Sequence, residues 1–139
     1  MLSIGRAFGA GIAFALFLCG EERGLSEKAA WGKYLVEEVG KCQDCHTARD
    51  EKGELDKTRW LKGAQLPFQP IGEIPNWHKT APDITPGSRL WNRWTEAGLL
   101  KYLQTGLTPA GKPAGPPMPT YTLKAKDAEA MVEYLKTLK

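Results

Sequence analysis

The run Cys42-Gln43-Asp44-Cys45-His46 constrains this chain more than any other part of it. Two thiols at i and i+3, followed at once by an imidazole, can meet both vinyl groups of a haem and leave a ring nitrogen beneath the iron. Three other readings compete. A structural zinc site takes four ligands, typically in two pairs, yet outside this motif the only other histidine is His78 and there is no second cysteine pair. A thioredoxin-like dithiol needs βαβ surroundings, whereas the flanking periodicity is helical. A disulfide spanning two residues closes too short a loop to stabilise a domain. The motif therefore predicts one covalent haem c, linked through Cys42 and Cys45, with His46 as an iron ligand.

The segment before it reads as an export signal. Arg6 precedes an apolar run from Ala7 to Cys19, and charge begins abruptly at Glu21. Because a spanning helix needs about 20 apolar residues, residues 1–20 are read as a signal peptide or short membrane anchor, with residues 21–139 as a single domain. The expected location is the periplasm or the periplasmic face of the membrane, with Cys19 as a candidate lipid attachment site for membrane association. Removing residues 1–20 takes away one of 19 basic residues and none of 16 acidic ones, leaving +2. Such a balance lacks the basic stripe of a nucleic-acid binder, so nucleic acid is not an expected partner.

Helical periodicity organises the rest. Ser26 can cap a first helix through Ala30, Trp31, Tyr34, Leu35 and Val39 that ends at Gly40. Residues 47–90 carry many Gly, Pro and charged positions, which predicts mostly loop with a short helix near Trp60. A second helix is expected from a Thr95 cap to Gly106, and a third from about Lys126 through Met131, Val132 and Leu135. No strand alternation is evident, so the predicted class is all-α.

Between the last two helices lies LTPAGKPAGPPMPT, whose prolines forbid helix and stiffen the loop that carries Met118. A thioether opposite histidine raises the reduction potential of haem iron, and Met118 is the expected second axial ligand. Met131 falls on the apolar stripe of the last helix, where methionine ordinarily fills the core. His78 is the alternative distal ligand. With both axial positions filled, iron passes single electrons and has no open site for a substrate. Were Met118 not a stable ligand, a ligand-binding or peroxidatic haem protein would be the reading.

In order along the chain, GKYLVEEVGKCQDCHTAR, LKGA, TAPDITPG, WTEAGLLKYLQTGLTPAGKP, PPMP and KDAEAMVEYLKTL resemble the class I c-type cytochromes. They are most similar to the single-haem cytochrome subunits of bacterial alcohol and aldehyde dehydrogenases. The resemblance implies the class I cytochrome c fold, an electron-transfer role rather than catalysis, redox proteins as partners, and His46 with Met118 as the axial pair. It further implies that the first helix, through Gly32 and Tyr34, crosses the last near Tyr134 and Leu135. Trp94 and Arg49 are implied as partners of the haem propionates. The sequence departs from the pattern at ITPG, where ITPD is common, and over residues 64–80.

Overall fold

The computed structural model describes residues 24–139. The apolar run, Cys19 and the expected signal or anchor lie outside the described residues. Among the described residues, no helix is long and apolar enough to cross a membrane.

Helix α1 spans Glu27–Tyr34. Its start follows from Ser26, whose hydroxyl accepts from the Ala29 amide, and from Glu27 in the positive first turn. The chain then widens into a π turn, Leu35–Val39, and stops at Gly40, as the sequence predicts. Helix α2 is the motif itself, Cys42–His46. Helix α3 spans Arg89–Thr105 and α4 spans Ala125–Lys136.

Helix α4 buries Ala128, Ala130, Met131, Val132, Tyr134 and Leu135. Helix α1 meets α4 at Gly32, where an added Cβ would lie 1.8 Å from the Ala130 carbonyl oxygen. Only glycine permits that approach. The close contact thus falls at Ala130 and not at Tyr134 and Leu135. Tyr34 turns outward, half exposed, and stacks on Trp31 with ring centroids 5.2 Å apart. Tyr134 instead reaches the π turn, donating to Glu37.

The second expected helix begins where its sequence signal puts it, after Thr95, and is preceded by a short helical stretch that opens at Arg89. Ser88 caps that first stretch by accepting from the Trp91 amide. Thr95 lies inside α3 as a break, with φ 62° and ψ 172°. Its far end agrees with expectation: Gly106 adopts φ 71° and donates to Tyr102.

The segment between α2 and α3 holds the expected short helix, a 3-10 turn at Lys57–Arg59 beside Trp60. It also holds two short strands that the sequence did not announce, β1 at Lys62–Gln65 and β2 at Thr80–Asp83. They pair antiparallel, with Lys62 opposite Asp83 and Gln65 opposite Thr80. The class remains all-α with this ribbon as an addition. Gly63, at φ 84°, lets the strands approach closely, since a Cβ there would sit 2.8 Å from the Asp83 nitrogen.

Leu61 anchors the ribbon to α2. It is fully buried in the left-handed region, φ 58°, which costs a branched residue energy. Two bonds hold it there: its amide donates to Thr47 Oγ1 at 2.9 Å, and its carbonyl accepts from Ile84 at 3.0 Å. The ribbon is thereby fixed beside His46.

Candidate cofactor site

Lys41 takes a left-handed turn, φ 49°, which swings the chain out of the π turn and into α2. At helical spacing Cys42, Cys45 and His46 then all border one cavity of about 480 Å³, and Met118 lines the same cavity. Its volume lies within the range of about 300–1,000 Å³ that encloses small organic ligands and cofactors. Val36, Leu99, Leu103, Met131 and Leu135 supply apolar walls, with Tyr102, Tyr121 and Trp94 adding aromatic surface.

The ribbon sets the state of His46. Its Nδ1 lies 2.7 Å from the Pro82 carbonyl oxygen, which can only accept, so Nδ1 carries the proton. Nε2 is left with its lone pair for an electrophile. Burial pushes the imidazole pKa below its ordinary value, against the pull of the Pro82 bond and the Asp83 charge. The ring is held neutral, the form that binds a metal.

Burial also pushes the Cys42 thiol up to about 11, and raises Cys45 with help from Asp44. Thiols kept protonated are poor thiolate nucleophiles and poor zinc ligands. Among the described residues, no three His, Cys, Asp or Glu side chains converge to hold a metal ion by themselves. Both observations weigh against the zinc and dithiol readings. Two thiols, a neutral imidazole and a thioether around an apolar cavity form a donor set that fits a covalently attached haem.

The other sequence-predicted residues fall in different places. Trp94 lines the cavity and packs against Tyr102, ring centroids 5.4 Å apart. Arg49 is exposed, donates to the Gly53 carbonyl at 2.8 Å and is not among the lining residues. The arginine that lines the cavity is Arg93. His78 borders the cavity, but its Nε2 lies 3.0 Å from the Ala114 carbonyl oxygen.

Three contributors escaped the sequence. The Pro82 carbonyl has no residue-type signal, because every residue carries one. Tyr102 donates to the Pro119 carbonyl at 3.0 Å, next to Met118. Tyr121, pushed up to about 12 chiefly by burial, stands 3.4 Å from the Gly40 carbonyl.

Comparison with known proteins agrees with this geometry. The family model described as Cytochrome c matches residues 29–139. A protein named "Diheme cytochrome c-type" from Cereibacter sphaeroides is 36% identical over 120 residues, covering 83% of this chain and 37% of its own length. The "Fructose dehydrogenase cytochrome subunit" of Gluconobacter japonicus is 32% identical over 114 residues, 77% of this chain and 21% of that protein. A nicotinate dehydrogenase subunit from Pseudomonas putida is 32% identical over 118 residues, 79% of this chain and 9% of that protein. The chain thus spans little more than a third of the length of the first of these relatives, and less of the others.

Proposed function

Because this chain belongs to the cytochrome c family, we propose that it carries single electrons through one haem c, held by thioether links to Cys42 and Cys45 and by His46 and Met118 as axial ligands. When bound, the haem supplies an iron centre that cycles between Fe(III) and Fe(II). The chain's own residues do the rest. The Pro82 carbonyl accepts a hydrogen bond from His46 Nδ1 and so keeps Nε2 directed to bond formation. Leu99, Leu103 and Met131 exclude water, which favours the less charged reduced state. Met118, in a loop stiffened by proline, would offer the iron a polarisable sulfur.

The observation that carries this reading is the joint placement of Cys42, Cys45, His46 and Met118 on one apolar cavity. The dehydrogenase relatives support a redox protein as its partner, with this chain an electron-transfer component and not the catalyst. The haem-attachment motif behind an apolar N-terminal run supports an exported location. A spectrum tests the ligand set. The oxidised protein is expected to show a methionine-sulfur charge-transfer band, absent in Met118→Ala, whose reduced form should bind carbon monoxide readily. An unchanged band in the variant refutes Met118 as ligand, and rapid carbon monoxide binding by the reduced wild type favours the ligand-binding alternative.

A further inference from the structure

Residues 113–119 read Pro-Ala-Gly-Pro-Pro-Met-Pro, so four of seven positions have no backbone donor. Within this stretch the Met118 amide closes a turn on the Gly115 carbonyl at 3.2 Å. A loop so poor in donors cannot hold itself and needs donors from elsewhere. Two elements provide them. Tyr102 of α3 grips the far end at Pro119. His78, at the end of the connection between β1 and β2, grips the near end twice: its amide donates to the Pro116 carbonyl at 2.8 Å, and its Nε2 lies 3.0 Å from the Ala114 carbonyl. A carbonyl only accepts, so Nε2 carries the proton.

The ring also packs closely against the loop. A Cβ on Gly115, which stands at φ 84°, would lie 2.9 Å from His78 Nε2. Glycine here satisfies both the left-handed turn and the close approach of the imidazole.

We propose that His78 is a positioning residue for Met118, its imidazole latching the loop so that the sulfur is retained on iron. The inference rests on Met118 being the axial ligand. His78 is exposed and contributes little to the core, so its loss should act on loop opening and leave the global fold intact. Entry of an added ligand into the ferric site first requires Met118 to leave, so its limiting rate at saturation reads that opening.

The test uses the oxidised holoprotein with imidazole as the probe, followed by stopped flow, and compares wild type, His78→Ala and His78→Gln, whose terminal amide can donate to Ala114. We expect a limiting rate roughly five- to tenfold faster in His78→Ala, the weight of one net hydrogen bond. Recovery towards wild type is expected in His78→Gln, with the same denaturant midpoint in all three. Equal rates in wild type and His78→Ala overturn the latch. So does a rate increase matched by a lowered midpoint and not rescued by glutamine, which marks a general structural loss. Should wild type itself lack the sulfur charge-transfer band, the ligand reading falls and the latch with it; a wild-type band with an inert His78→Ala removes the latch alone.

Discussion

Glu37 sits in the π turn between α1 and α2, and one of its carboxylate oxygens accepts from both Tyr134 and Trp60, the latter at 3.1 Å. Burial first, and then the bond to Glu37, push the Tyr134 phenol above its ordinary pKa. Tyr134→Phe should therefore cost about 1–2 kcal/mol, the loss of a charge-assisted hydrogen bond in a half-buried setting. The check is a lower denaturant midpoint at unchanged slope. Asp56 offers a pH-dependent counterpart. Bonds from Thr58 and Arg59 hold its carboxyl down at about 2, against an ordinary 3.8. A depressed folded-state pKa means stability that is complete above about pH 4 and is lost as pH falls towards about 2. Stability measured across that window should fall more steeply in wild type than in Asp56→Asn, with the two curves converging at the acid end. At this scale the sequence was most informative where chemistry depends on residue type. Cys42, Cys45, His46 and Met118 were legible because thiol, imidazole and thioether have few substitutes. The Pro82 and Ala114 carbonyls were not, since backbone oxygens carry no residue-type signature and only the fold assigns them.

Among the elements, the crossing of α1 on α4 turns on one missing methyl group. Gly32→Ala would force a Cβ into the Ala130 carbonyl, 1.8 Å away. The strain should exceed the helix-propensity gain of about 1 kcal/mol and leave a net loss of about 2–3 kcal/mol. Gly72→Ala, with nothing within 4 Å of the added carbon, serves as a near-neutral control in the same unfolding experiment. Helix ends followed local rules where a capping side chain or a left-handed glycine decides them, as at Ser26 and Gly106. Thr95 gave the place where the expected helix starts, as a break in the backbone; the short helical stretch upstream, capped by Ser88, is too brief to show a period. The two strands escaped because KGAQ and TAPD include glycine and proline and alternate in no useful way. Their pairing depends on Gly63 and on Leu61, contacts that a local pattern does not encode.

For the molecule as a whole, the apolar faces of α3 and α4 turn towards a cavity and not solely towards another helix. Small domains bury too little surface to be comfortably stable alone, and here Leu99, Leu103, Met131 and Leu135 depend on what fills that space. The double variant Cys42→Ser with Cys45→Ser, expressed without attached haem, should keep part of its far-ultraviolet helix signal. It should lose its near-ultraviolet tertiary signal and bind a hydrophobic dye. Sharp near-ultraviolet bands in that variant would show that the chain packs without the group. The order of segments along the chain made the architecture legible; the course of residues 47–88 was not, because it is set by the cavity and by distant carbonyls.

One consequence of the ribbon concerns spacing. The oxygen that steadies His46 belongs to Pro82, and the ring that braces the Met118 loop belongs to His78. Both supports therefore fall within residues 78–82, where the connection between the strands ends and β2 begins. The ribbon works as a calliper, one jaw on β2 at Pro82 and the other just ahead of it at His78. Deleting one residue between the jaws would shift one against the other and disturb both supports at once, whereas lengthening the exposed loop at Gly72, outside the jaws, would disturb neither.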